Sequence, residues 1–317
     1  MEGRASHSTP WSIYAGLLAT SLFWGANFII GKYALIGLPP FTVAGGRVLL
    51  AVVGTLVWLW LNPGQRTPLR RQDLAVMAAL GASGVFGFNA LYFMGLQYAP
   101  AGEGSLLVAI TPVITAILAA ILLGEAITVG RVAGVGLSFV GVAIIVEAGA
   151  GSGGPAGNRE LGIALLLSAS LCWGVYSALM RIALRRHSPL AATAYAMVFG
   201  ALFALPAAGW EVATSGGMAM LRQAPTISWL AVVYAGLAGT VLGFLFWNRG
   251  IARLGATRAS VFVNVVPVWA VLLGALVLGE QVTIGQAVGG IVVVASVMLA
   301  NAGSARRKEV SETRMAK

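Results

Sequence analysis

The sequence predicts an all-α integral membrane protein: ten transmembrane helices arranged as two inverted five-helix repeats. Three observations lead there, namely the composition, the lengths of the apolar runs and the similarity of the chain to itself. Of 317 residues, 58% are hydrophobic and 9% are charged. A soluble globular domain has about 45–50% and about 25%. A chain this apolar cannot dress a water-facing surface, and it is just as unlike a disordered chain, which is charged and poor in apolar groups. The single cysteine, Cys172, excludes an internal disulfide framework.

About 20 apolar residues are needed for a helix to cross the hydrocarbon layer. Ten runs qualify, over residues 12–33, 42–61, 74–94, 104–123, 129–147, 161–182, 190–210, 227–247, 257–278 and 282–301. Connections such as 95–103 and 124–128 leave no room for a soluble domain. Runs such as 113–123 are apolar throughout, whereas a membrane strand alternates in polarity. Many of the 42 glycines fall inside these runs, as suits membrane helices that pack closely. The first run is too long for a cleaved signal peptide and its flank carries only Arg4.

Orientation follows from the basic residues. With the N-terminus in the cytoplasm, 16 of the 20 Lys and Arg face inward. Only Lys32, Arg159 and Arg222 face outward, and Arg47 lies within the second span. This positive-inside bias requires an even number of spans with both termini inside. The net charge of +10 is therefore a topology signal and calls for no nucleic acid.

The chain repeats itself. Residues 21–35 match residues 170–184 at six of 15 positions, including Trp24-Gly25 and Trp173-Gly174. Residues 92–146 match 247–301 at 15 of 55, including Pro112/Pro267 and Gly124-Glu125/Gly279-Glu280. The offset is 149 in the first match and 155 in the second, which puts six extra residues near 211–226. Five spans per repeat is an odd number, so the second repeat enters from the opposite side. The expected organisation is a first repeat (1–148), a Gly-rich extracytoplasmic linker (149–160), a second repeat (161–302) and a basic cytoplasmic tail (303–317). Inverted repeats recur in secondary transporters, with the substrate held near the midplane between the halves.

The paired Trp-Gly, the Pro inside spans four and nine and the Leu-Gly-Glu before spans five and ten resemble the drug/metabolite transporter superfamily. The EamA-type ten-helix exporters are the nearest group, and the resemblance covers residues 12–301. It implies export of small metabolites such as amino acids across the bacterial inner membrane. Within it, the YddG-like exporters of aromatic amino acids are the most similar subgroup.

Arg47, Glu103 and Glu147 sit near outer helix ends, where long side chains can reach headgroups. With no charge plainly central, the expected cavity is built of aromatics, amides and hydroxyls. Helical spacing selects Trp24 and Asn27 on span one; Trp173, Tyr176 and Ser177 on span six; Asn89 and Tyr92 on span three; Phe244 and Trp247 on span eight. Ser105, Thr111, Ser260 and Asn264 lie beside Pro112 and Pro267. Rings suit an apolar body and an ammonium, and amides and hydroxyls suit a carboxylate. Interface belts and helix-to-helix bonding are the competing roles for the same residue types. Pro112 and Pro267 are expected to bend their helices, as gating hinges or fixed kinks. Glu125 and Glu280 are expected to interact with the N-termini of the helices they precede.

The stretch 149–154 imitates a dinucleotide-binding fingerprint but lacks the βαβ unit around it, and it reads as a linker. There is no ATP-binding P-loop. His7, His187 and one cysteine make no metal site, so no cofactor is expected. The partners are a small-molecule substrate and the lipid bilayer. An intramembrane enzyme would need convergent acid, base or metal groups, which are not evident. A channel remains the other rival to an alternating-access exporter of aromatic or bulky neutral amino acids, or of drugs and other metabolites.

Overall fold

The computed structural model describes residues 10–123, 129–148, 158–254, 261–296 and 298–299. Every regular element among them is helical. The first three crossings are α1 (Pro10–Ala34), α2 (Pro40–Leu61) and α3 (Arg71–Tyr98). The fourth is split into α4 (Ala101–Val108) and α5 (Thr111–Leu123), and α6 (Val129–Ala148) is the fifth. The second repeat runs through α7 (Arg159–Ala183), α8 (Pro189–Thr214) and a short α9 (Gly217–Gln223). The chain continues through α10 (Thr226–Gly236, Leu237–Leu242 and Gly243–Leu254 in line), α11 (Val266–Leu278) and α12 (Ile284–Ser296). The six residues by which the two offsets differ fall in the connection that α9 occupies.

Six of these crossings are long and apolar enough to span a bilayer as single helices; four are shorter. The shortening has a local cause in the fourth and ninth. Neither Pro112 nor Pro267 kinks a continuous helix. Pro112 is the second residue of α5, just after the break at Ala109–Ile110, and Pro267 is the second residue of α11, after a 3-10 turn at Val261–Val265. A proline in the first helical turn lacks only an N–H that would have had no partner. The expected bend is therefore a break, placed alike in both repeats.

Large apolar side chains cover the outside of the bundle, among them Leu49, Val53, Phe139, Leu202 and Leu230. Trp11 and Trp60 are exposed near one end, and Trp210 and Trp229 near the other. Exposed indoles at both ends are what interfacial belts are made of, where an amphipathic ring sits between lipid and water.

The two repeats interlock. α1 packs on α10 and α11, α7 packs on α3, α4 and α5, and α2 lies along α8. The duplicated Trp-Gly pair explains part of this. A Cβ on Gly25 would lie 2.8 Å from the Val266 carbonyl of α11, and one on Gly174 would lie 2.8 Å from Ile114 of α5. Each glycine thus lets the first helix of one repeat approach the broken helix of the other.

Polar contacts fix the opposite directions of the repeats. At the end where α1 turns into α2, Ser228 Oγ donates to the Tyr33 carbonyl at 2.9 Å. There Glu211 of α8 accepts from Thr42 N (2.6 Å) and Thr42 Oγ1 (2.9 Å) at the start of α2. Glu280 accepts from Ala101 N (2.7 Å) and Gly102 N (2.8 Å). Glu280 therefore caps the N-terminus of α4 in the other repeat, and not that of the helix it precedes. A carboxylate there satisfies unpaired N–H groups and complements the helix dipole. Glu103 is likewise no headgroup-reaching side chain: it is 3% exposed and paired with Arg159. At the opposite end, Asp73 meets Arg186 (3.1 Å) and His187 (3.3 Å), and the Tyr195 hydroxyl donates to the Thr67 carbonyl at 2.5 Å. The C-terminus of α1 lies at the first end and that of α7 at the second, as an inverted repeat demands.

Residues 149–157 of the expected linker at 149–160, the tail at 303–317, His7, Glu125 and Ser260 lie outside the described residues. So do the side chains of Pro112 and Asn264. The end of that linker is the cap Asn158 and the first residues of α7, which begins at Arg159.

Candidate functional site

The site begins with two wide turns. Over Gly81–Gly87 in α3 and Leu237–Leu242 in α10 the helix opens to a π-turn. The N–H of Phe88 reaches back to the Ser83 carbonyl, and that of Gly243 to the Ala238 carbonyl. These residues are related by the 155-residue offset, so both repeats carry the same irregularity. π-turns in helices are frequent at functional sites because they leave backbone groups free of the regular ladder.

One such freed group is the Gly239 carbonyl, which accepts the Trp24 indole N–H at 2.9 Å. The Trp24 ring lies against Phe244 and Trp247, with centroids 6.0 and 5.6 Å away. Asn27, one turn further along α1, lies flat on Gly239: a Cβ there would stand 2.6 Å from Asn27 Oδ1. Asn27 is 7% exposed, and its Oδ1 has no hydrogen-bond partner.

The counterpart at α7 and α3 has the same backbone plan. Trp173 lies 5.0 Å from Phe88 and 5.1 Å from Tyr176 by ring centroids. Tyr176 stands over Gly84, the repeat partner of Gly239. Its hydroxyl bonds to Thr193 of α8. Ser177 Oγ donates to the Trp173 carbonyl at 2.8 Å, within its own helix.

Tyr92 joins the two crossings. Its ring is 5.2 Å from Phe28 and 5.6 Å from Phe88, and its buried hydroxyl has no partner. One turn earlier, Asn89 donates through Nδ2 to the Val85 carbonyl at 2.7 Å and leaves Oδ1 unpaired. The structure thus brings Trp24, Asn27, Phe244 and Trp247 into one group and Trp173, Tyr176, Phe88 and Tyr92 into a second. Ser105 and Thr111 do not add to either: their hydroxyls donate within the same crossing, to the carbonyls of Gly102 (2.7 Å) and Val108 (2.6 Å).

Arg47 corrects the sequence reading. It does not reach for the headgroups; its Nε donates to Thr240 Oγ1 at 3.2 Å, inside the wide turn of α10. Thr240 is buried and follows Gly239 directly. The signal for Arg47 was present in the sequence as a lone cation inside a span. The wide turns were foreshadowed by the glycine pairs Gly81/Gly236 and Gly84/Gly239, which keep the 155-residue offset. A surface pocket of about 480 Å³ between Ile36 and Pro225 lies at the end of the bundle and takes in none of these residues.

The chain matches the EamA-like transporter family twice, over residues 11–147 and 160–302. It belongs to that family. It is 32% identical over 290 residues to a Bacillus subtilis (strain 168) protein named uncharacterized transporter YyaM, covering 92% of this chain and 93% of the relative. It is also 32% identical over 298 residues to a protein of Streptantibioticus cattleyicolor named probable terminal-alkyne amino-acid exporter, covering 93% and 95%. A crystal structure 20% identical in sequence superposes with a TM-score of 0.59 over 94% of this chain and 99% of the other, and shows the fold. This EamA-family chain is therefore a multi-pass membrane transporter, and the resemblance carried by the Trp-Gly, Pro and Gly-Glu pairs pointed to the right superfamily.

Proposed function

We propose that this transporter exports aromatic or bulky neutral amino acids by alternating access from the cytoplasm of a bacterium, through its inner membrane. The observation that carries this reading is the joint at Trp24, Asn27, Phe244 and Trp247. Three rings gather there beside a buried amide oxygen that no protein group satisfies. An apolar body would lie against the rings, and an ammonium would be drawn to both the rings and the amide oxygen. The relative named for amino-acid export agrees with that chemistry.

Alternating access needs two halves that can re-pack, with contacts at each end that open in turn. The paired wide turns and broken helices supply matched flexible points in both repeats. Glu280, Glu211 and Glu103 hold one end of the bundle, and the Asp73–Arg186–His187 group holds the other. With the basic residues facing the cytoplasm, the Asp73 group is the inner latch and Glu280 belongs to the outer one.

The test is counterflow in proteoliposomes across amino acids and cationic drugs. Saturable exchange of phenylalanine or tryptophan that excess unlabelled amino acid suppresses is the expected result. Exchange of drugs or other metabolites without amino acids would make this chain a multidrug or general metabolite exporter of the same family. A flux far above carrier turnover and without saturation would instead make it a channel.

A further inference from the structure

The candidate site has a positive centre that the exporter reading does not use. Arg47 lies seven residues inside the start of α2, about 10 Å along the helix axis. Asn27 and Tyr92 are about as far from the ends of α1 and α3 on the same side of the bundle. The Arg47 side chain does not turn back to that end. It runs inward to Thr240, fourteen residues along α10 from Thr226. A guanidinium offers five N–H donors, of which Nε is bonded to Thr240. Among the described residues no carboxylate pairs with Arg47. On the same side of the bundle the Tyr92 hydroxyl is buried with its oxygen unpaired.

The repeat supplies an internal control. At the offsets that relate Pro40 to Pro189 and Gly84 to Gly239, the partners of Arg47 and Thr240 are Ala196 and Val85. Those two are buried in one apolar cluster, where α8 meets α3. At these two positions the second joint therefore packs without a charge. Holding a charge inside the membrane is expensive, and such charges mark substrate or ion paths by default. Packing gives no reason for the cost on one side alone.

We propose that Arg47, oriented by Thr240, binds the α-carboxylate of the transported amino acid. The inference rests on the amino-acid reading above and deepens it. The guanidinium and the phenol donate to the carboxylate. The unpaired Oδ1 of Asn27, beside the ring of Trp24, accepts from the ammonium. Substrate thus bridges α1, α2, α3 and α10, and both repeats close on one zwitterion. Thr240 is a positioning residue, since it acts through Arg47.

Proteoliposome counterflow with phenylalanine, phenylalaninamide and phenethylamine tests it. The wild type should exchange phenylalanine at least about tenfold better than the amide or the amine, the usual scale for a charge-assisted hydrogen bond. Arg47→Gln should bring that ratio close to one, and Arg47→Lys should keep part of it. The wild-type ratio needs no variant, so a variant that fails to fold does not spare the proposal. Equal exchange of acid, amide and amine by the wild type overturns the carboxylate site and leaves the exporter reading standing. A folded Arg47→Gln protein with the wild-type ratio also overturns it. If amino acids are not exchanged but 3-phenylpropionate is, and Arg47→Gln abolishes that exchange, the anion site stands and the amino-acid reading falls.

Discussion

Where α1 crosses α10 and where α7 crosses α3, the same joint is built twice with different chemistry. In both, a tryptophan from the first helix of one repeat lies beside a wide turn of the other repeat. In both, a glycine in that turn meets the residue three positions after the tryptophan. Asn27 fills that place in the first joint and Tyr176 in the second. The neighbouring position is Thr240 in one and Val85 in the other, and α2 contributes Arg47 where α8 contributes Ala196. The backbone plan is thus shared, while the charge and its hydroxyl partner stand on one side only. In the alternating-access reading proposed above, a symmetric scaffold would serve for rocking, since each half could take the packing of the other. An asymmetric lining would give a substrate one orientation in it.

The sharpest way to break this comparison is to truncate both tryptophans. Trp24→Ala should weaken apparent affinity in counterflow by about 30-fold, the scale of a buried aromatic anchor. Trp173→Ala should weaken it by about threefold, because its ring packs the apolar joint. Equal losses would show that both joints contact substrate.

Next in size are the turn glycines. Gly84→Ala drives a methyl group into Tyr176, including its Cβ and ring, which cannot retreat without moving α7. A loss of about 1–3 kcal/mol is expected, as for other overpacked cores, and would appear as a lower unfolding temperature in detergent. Gly239→Ala meets the amide of Asn27, which can rotate aside. Its effect should be smaller on unfolding and larger on substrate affinity, so the two variants should reverse their order between the two measurements.

The exchange of joint residues is subtler. Thr240→Val removes the partner of Arg47 Nε, and a several-fold rise in KM for phenylalanine is expected with little change in unfolding temperature. Val85→Thr should leave KM unaltered and lower stability by about 1 kcal/mol, as for burying a hydroxyl. A KM effect from Val85→Thr would mean that the apolar joint is also lining. Least affected should be Trp60→Ala in the lipid belt, within about 0.5 kcal/mol of the parent on unfolding and equal to it in counterflow.

Much of the architecture can be read from the residues. Composition and run length dictate membrane helices, because no water is present to satisfy an open backbone in lipid. Offsets of 149 and 155 residues dictate two repeats, and an odd number of crossings in each forces them to be antiparallel. The aromatic and amide candidates on α1, α3, α7 and α10 follow from spacing, since residues three apart share a helix face. What spacing cannot decide is which helices meet. Glu280 looked like a cap for the helix that follows it, and it caps α4 of the other repeat. Arg47 looked like an outer-end charge, and it reaches a turn nearly 200 positions away in the chain. Ser105, Thr111 and Ser177 looked available for substrate, but their hydroxyls are bonded within their own crossings. Periodicity records the face of each helix. The neighbour across that face, and thus the partner of each buried charge and hydroxyl, depends on how the two repeats interlock, which only the tertiary structure decides.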